Sequence, residues 1–462
     1  MLLSLCSGVL MGLAQPALFD MGWLAWIGLV PILIALASRP TRFHLWIALP
    51  CGILWSLGAH AWYPAMFGWA GGMLLIVAVG FLDAALLQAG MALASRLPSA
   101  VQTLGLPLAL TALEFVRTVI PVIGDWWFEA LAKTQWRFPS ALQIVTLTGS
   151  PGLSFVIALT NAALATLLVA AWQKRIAWPA VLSLGSVALV LACGWWVMAP
   201  SPAETVQIGV MVDLANQLGS EQQAVLERDI ALTRMLAPQQ PQLVVWPENE
   251  LATADDPALR LVIGQLAQAL NAFLVADMIW TTPAGRYDTA VLFGPDGVEV
   301  GRQAKINVTG DERAQGFVAG QRRFPVYPTT LGTIGLGVCY DRHTPDITRQ
   351  LTRAGARIVA MPADDDFAAN PWFPRAHAAD TVLRAVENRV AFAVSTTSGI
   401  ALVVDPYGRI TAESGVNQTT VLIGETFVSA EYTLYTLAGD WFEWLSVSIA
   451  GILILAWRPR PS

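Results

Sequence analysis

TIGLGVCYDRHTPD, Thr333 to Asp346, decides how the polar half of this chain folds. Its first six residues form a short, apolar, β-rich run, and a cysteine then meets a cluster of charge. In α/β sheets ligands bind beyond the carboxyl ends of strands, so Cys339 stands where chemistry is placed. The neighbouring segments fit that reading. Downstream, DITRQLTRAGA reads as a helix, RIVAMPA as a strand, AHAADTVLRAVENR as a helix, and FAVSTT and IALVVDP as strands. Upstream, ETVQIGVMV, QLVVW, FLVADMIW and TAVLFGP read as strands, with SEQQAVLERDIALTRML and DPALRLVIGQLAQALN as helices between them. Alternation of this kind predicts an α/β domain, its sheets covered by helices.

The rest of the chain is of a different kind. Over 462 residues, 55% are hydrophobic, 13% are charged and the mean hydropathy is +0.54, too apolar for an ordinary soluble protein. A bilayer core of roughly 30 Å takes about 20 apolar residues per helix. Eight such spans are expected, near 2–18, 21–38, 45–62, 69–94, 101–120, 151–172, 177–198 and 438–457. The sequence thus divides into a bundle of seven spans over 1–199, a mixed domain over 200–437, and a last span with a basic tail over 438–462. Arg39, Arg42, Arg96, Lys174, Arg175, Arg458 and Arg460 lie in loops on one side, which puts those loops in the cytoplasm and residues 200–437 outside. A net charge of -6 without a basic stripe gives no reason to expect nucleic acid.

Within the spans, Glu114 and Arg117 lie three apart on one helix and are expected to neutralise each other, with His60 and Asp83 as further buried polar groups. GDWWFEALAKTQWRF, between the fifth and sixth spans, has the tryptophans and scattered charge of an interfacial arm near 121–150 among lipid headgroups.

Cys6, Cys51 and Cys193 fall in spans, which leaves Cys339 alone in the outward domain and excludes a disulfide there. A thiol nucleophile needs a base and a partner for negative charge. Two other strand ends offer them: Glu248 in LVVWPENEL and Lys305 in GRQAKINVTGDERAQGF. Glu250 reads as solvated. His343, four residues after Cys339, is a weaker base, because Pro345 disfavours the helix that would bring the two together. Asp364, Asp365 and Asp366 read as a charged loop beside the site. No zinc, serine-elbow or phosphate-loop pattern occurs, so neither metal nor cofactor is expected.

WPE at 246–248, Lys305 and Cys339, in that order, resemble the Glu-Lys-Cys triad of the nitrilase, or carbon-nitrogen hydrolase, superfamily. With GWLAWIGLVPIL, LEFVR, GSPGLSFVIALTNAALA and GDWFEWL in the spans, and VLRAVENRVAFAVSTTSGIALVVDPYG in the domain, the whole chain resembles the apolipoprotein N-acyltransferase family. That resemblance implies an αββα sandwich hung on an eight-span membrane bundle in the bacterial inner membrane, with the domain on the periplasmic side. It implies a fatty acyl chain passed from a phospholipid, through a Cys339 thioester, to the α-amine of a diacylglyceryl lipoprotein, by a monomer without cofactor. Glu248, Lys305 and Cys339 are the implied catalytic residues; Tyr340, Asp341, Glu312 and Trp372 are the implied substrate-binding residues. The chain departs from the family pattern at Asp341, where glutamate is usual, at Arg313, where a carboxylate is usual, and in ADDDFAANPW, where the pattern is Asn-Asp-Trp. A membrane-tethered amidase and a non-catalytic binding homologue are the alternatives.

Overall fold

A computed structural model describes residues 1–119, 129–198, 204–214, 221–249, 251, 256–365 and 370–455. The chain packs as two units, Met1–Ala199 with Ala438–Ser462, and Pro200–Leu437.

The first unit is helical. Among the described residues, four helices are long and apolar enough to cross a membrane: Tyr63–Arg96, Ser99–Val119, Ser150–Trp172 and Trp178–Val197. Leu2–Ala14, Gly22–Ala37 and Trp441–Leu455 are apolar and shorter, and His44–Ala59 contains Pro50. The helix from Tyr63 breaks at Gly68, whose φ of 72° is open to glycine, so its long straight part begins at residue 69. Helices His44–Ala59 and Tyr63–Arg96 touch backbone to backbone: a Cβ on Gly52 would lie 2.1 Å from the Gly80 carbonyl oxygen. Small residues at such crossings let apolar helices pack where lipid offers no hydrophobic gain.

Two expectations change here. Arg117 does not pair with Glu114; it binds Glu129 at 3.0 Å and approaches Asp83 at 3.8 Å, while Glu114 accepts the Leu131 N–H at 3.0 Å. A guanidinium can satisfy two carboxylates from neighbouring segments better than one on its own helix. Those tethers draw the 129–136 stretch inward. Leu131, Ala132, Lys133 and Trp136 are buried, and Ser154 and Asp20 bind the Ala132 N–H and the Trp136 indole. Within the expected interfacial arm, residues 129–136 are buried and Arg137 and Phe138 are exposed, and residues 121–128 lie outside the described residues.

The second unit contains twelve strands among the described residues: β1 Val206–Val212, β2 Leu243–Val245, β3 Phe273–Thr282, β4 Gly285–Phe293, β5 Glu299–Ala304, β6 Val326–Thr329, β7 Gly332–Leu336, β8 Ile358–Ala363, β9 Ala391–Thr396, β10 Leu402–Val404, β11 Ile410–Glu413 and β12 Thr420–Thr426. Their order, β5-β4-β3-β2-β1-β9-β8-β7-β6, is joined in the middle only by the pair Val212 and Thr396. On one side of that joint β1, β2 and β3 run parallel; on the other, β7, β8 and β9 do. Helices Gln222–Leu236 and Pro257–Leu270 bury Val225, Leu236, Ile263 and Ala267 in one core with Val244, Trp246 and Leu274 of the first half. Pro345–Arg353 and Trp372–Asn388 accompany the second half, as the βαβ alternation requires. The sequence reading omits β6, β11 and β12. These are antiparallel strands next to β7, β10 and β1, of mixed polarity and with one partner each among the described strands, so they lack the apolar run that marks the central ones.

Candidate active site

Parallel strands end on one edge, and that edge collects the site. Trp246 fixes the first position: its ring is fully buried, its indole donates to Thr233 at 2.8 Å, and its backbone N–H donates to Val275 at 2.9 Å. Glu248 follows two residues later, 4% exposed. Lys305 comes directly after β5, opposite Asp288 of β4, whose carbonyl accepts the Lys305 N–H at 2.8 Å. Its ammonium, 1% exposed, lies 2.6 Å from Glu248, 2.5 Å from Glu312 and 3.4 Å from Asp288. Glu312 reaches it because Thr309 caps the short helix Gly310–Ala314 in a capping box with Glu312, an arrangement that places Glu312 inward and leaves Arg313 exposed.

Cys339 follows β7 by three residues and begins a 3-10 turn, Cys339–Arg342. Its φ is 43°, a left-handed conformation that costs a residue with a Cβ roughly 1–2 kcal/mol. Asp341 holds the turn in that shape: its carboxylate accepts the backbone N–H of Val338 at 3.1 Å, Ile306 at 3.1 Å and Asn307 at 2.7 Å. Asp341 is thus a buried brace between the cysteine turn and the chain after Lys305. The sequence reading put it among the substrate-binding residues; its carboxylate faces the backbone instead. Burial pushes its carboxyl up to about 6, against the opposing effect of those three N–H groups.

One residue, Asp364, touches both the Glu248 carboxyl and the thiol. The Asp364 N–H donates to Glu248 Oε2 at 2.7 Å, and the Asp364 carbonyl accepts the Cys339 thiol at 3.2 Å. Burial, and then the negative charge of Glu248, hold the thiol well above its ordinary pKa, with Lys305 opposing them. Burial likewise raises Glu248, against Lys305. For Lys305 burial works toward the neutral form, but Glu248, Cys339, Asp288 and Glu312 outweigh it and keep the amine protonated. The resting site therefore holds a protonated thiol that needs a base to become a nucleophile.

Behind the cysteine, Asp365 is not part of a solvated loop. It is 2% exposed and binds Arg342 at 2.9 Å and His377 Nδ1 at 2.6 Å. The Arg342 guanidinium and the His377 imidazole draw the carboxylate inward, and the small Gly399 admits it: a Cβ there would lie 2.1 Å from Asp365 Oδ2. Cys339, Asp365 and His377 each offer a ligand atom within 4.8 Å of the others. The Arg342 guanidinium sits on both oxygens of Asp365, so the chain itself supplies the positive charge that this set calls for. His343 pairs with Asp380 at 2.9 Å and stacks on Tyr340 at 4.7 Å, so it supports the tyrosine ring. Trp372 opens its helix, partly exposed, with its backbone N–H on Asn370; it is outside the hydrogen-bonded set around Lys305. Glu250 and Asp366 lie outside the described residues.

Asp288 is the residue that the sequence reading passes over. It lies fourth in β4, just before the apolar run TAVLF, and only the pairing of β4 with β5 brings it to Lys305.

A buried thiol, carboxyl and ammonium at the strand ends of an α/β domain are the equipment of thiol-dependent attack on a carbonyl, and residues 205–429 match the carbon-nitrogen hydrolase family model. Residues 7–163 match a second model, the apolipoprotein N-acyltransferase N-terminal domain. Over 99% of its length the chain is 27% identical to an apolipoprotein N-acyltransferase of Geobacter metallireducens, covering 95% of that protein. A protein of the same description from Gloeobacter violaceus is 27% identical over 98% of the chain and 92% of its own length. A deaminated glutathione amidase of Synechocystis is 30% identical over 38% of the chain, covering 75% of that amidase. The chain belongs to the apolipoprotein N-acyltransferase family of the carbon-nitrogen hydrolase superfamily.

Proposed function

We propose that this chain moves a fatty acyl chain from a phospholipid to the α-amine of a diacylglyceryl lipoprotein through a thioester on Cys339. The observation that supports the mechanism is the backbone of Asp364, which touches Glu248 with its N–H and the Cys339 thiol with its carbonyl, so the two groups share one neighbour. Glu248 takes the thiol proton as sulfur bonds to the ester carbonyl carbon. The oxyanion that forms is met by the Lys305 ammonium and the Tyr340 backbone N–H. Collapse breaks the ester C–O bond, Glu248 returns the proton to the departing alkoxide, and a lysophospholipid leaves. In the second half the lipoprotein amine attacks the thioester, Glu248 accepts its proton, the C–S bond breaks as the amide forms, and Glu248 passes the proton to the departing Cys339 sulfur. Glu312 acts by holding Lys305, and Tyr340 and Trp372 border the space for the lipids.

Both substrates are lipids, which supplies a physical reason for joining this domain to apolar helices. In this reading the chain crosses the bacterial inner membrane eight times as a monomer, residues 1–199 forming a seven-span bundle and 438–462 a last span with a cytoplasmic tail. The domain over 200–437 is an αββα sandwich on the periplasmic side. The arginine and lysine placement supports that orientation, and the near full-length match to two acyltransferases supports the substrates. No cofactor enters any step.

The test is mass spectrometry of the full-length protein after exposure to phospholipid in detergent, followed by addition of a diacylglyceryl-cysteine peptide. The expected results are an acyl mass on Cys339 and then an N-acyl peptide. Free fatty acid as the only product would establish a hydrolase, and an unmodified Cys339 a binding protein.

A further inference from the structure

The carboxyls around Lys305 outnumber its charge. Glu248 and Asp288 lie at 2.6 and 3.4 Å from the ammonium, and each is no more than 5% exposed. The two carboxyls therefore meet on one ammonium. Asp277 of β3 stands opposite Ala290, two residues along β4 from Asp288, so the two aspartates are diagonal neighbours on one face, and Asp277 is 0% exposed. Glu312 approaches the ammonium from its own helix. The next cation, Arg342, is committed to Asp365. Full ionisation would bury several negative charges against one positive charge, which a water-poor site does not tolerate; carboxyls packed this closely retain protons.

We propose that Asp288 is the proton partner of Glu248: the two carboxyls hold one proton between them on the face of Lys305, and Asp288 sets how readily Glu248 accepts the proton of Cys339. This rests on the reading of Glu248 as base. When the thiol proton arrives on Glu248, the shared proton resides on Asp288. When the ester C–O bond breaks, Glu248 delivers its proton to the alkoxide and the shared proton returns, so the pair ends each half-reaction as it began. Asp288 acts through Glu248 and is a positioning residue. Burial alone would raise its carboxyl; the Lys305 ammonium brings it below the ordinary aspartate value, while burial raises Glu248. The groups facing Glu248 are Lys305 after β5, Asp288 on β4 with Asp277 behind it, Cys339 in its turn, and Asp364 after β8. Glu312 acts through Lys305, and Asp365 with Arg342 stands beyond the thiol.

The experiment is the pH dependence of Cys339 alkylation by iodoacetamide in the full chain, a reaction that needs neither lipid nor acceptor. Wild type should show an acid limb that Glu248→Gln abolishes. Removing the negative charge beside Glu248 makes it easier to ionise, so Asp288→Asn should move that limb to lower pH by about one unit or more. Asp288→Glu should return it toward wild type. An acid limb unmoved in Asp288→Asn, with the Glu248 dependence intact, overturns the proposal alone; a limb that survives Glu248→Gln removes the base assignment and the proposal with it. Should Asp288→Asn fail to fold, Asp277→Asn is expected to shift the limb in the same direction by less, and no shift there refutes the shared proton equally.

Discussion

Replacing Lys305 by methionine separates the two duties the structure gives this residue. The substitution keeps an unbranched side chain, one atom shorter, and removes its charge from a position 1% exposed, leaving Glu248 and Asp288, each 5% exposed, and Glu312, 22% exposed, without their common partner. Breaking a buried ion pair by deleting one member destabilises by about 3–5 kcal/mol, and Glu312, which water reaches, contributes least to that loss. In the reaction the same change removes an oxyanion donor, which lowers the rate roughly a hundredfold to a thousandfold. The two effects part company with pH. Without the ammonium, Glu248 and Asp288 hold their protons more tightly in the folded chain than in the unfolded one. A carboxyl raised in this way contributes stability below its unfolded pKa and loses it as pH rises through the folded value. The stability gap between variant and wild type should therefore be small near about pH 5 and widen toward about pH 8, whereas the loss of acylation should remain at both. Thermal unfolding of the full chain in detergent, followed by tryptophan fluorescence, reads the first. Acyl-enzyme formation measured by mass spectrometry reads the second. Acylation within tenfold of wild type, or a stability gap that narrows as pH rises, would refute the reasoning.

Three other outcomes are expected. Asp341→Ala removes the acceptor for three backbone N–H groups that hold Cys339 at positive φ, and with charge-assisted bonds contributing about 1.5–3 kcal/mol each it should lower both stability and Cys339 alkylation; alkylation at the wild-type rate would argue against the brace. Gly399→Ala places a Cβ against Asp365 and should destabilise the domain by about 1–3 kcal/mol in denaturant unfolding, and an unchanged midpoint would mean that Asp365 is not held as described. A reporter active only outside the cytoplasm should work when fused after residue 205 and fail at the 174–175 loop, and the reverse pattern would overturn the proposed orientation.

The sequence by itself determined the division of this chain into apolar helices and an α/β domain, because hydrophobic periodicity is a local property and each central strand and helix carries its own. It also singled out Glu248, Lys305 and Cys339, since each stands at a strand end and their order resembles the nitrilase triad. What it could not decide was which charges meet. Glu114 and Arg117 look paired at three residues apart, but Arg117 turns to Glu129 and Asp83 on other segments. Asp365 looks like a loop charge and is buried between Arg342 and His377, and Asp341 looks like a ligand contact and is bound to backbone N–H groups from two segments. Asp288 gave no signal, because its role exists only once β4 lies beside β5 and brings it opposite Lys305. Electrostatic partners are chosen across distances of tens of residues, by whichever neighbours the packed backbone brings within about 4 Å, and no local pattern records that choice.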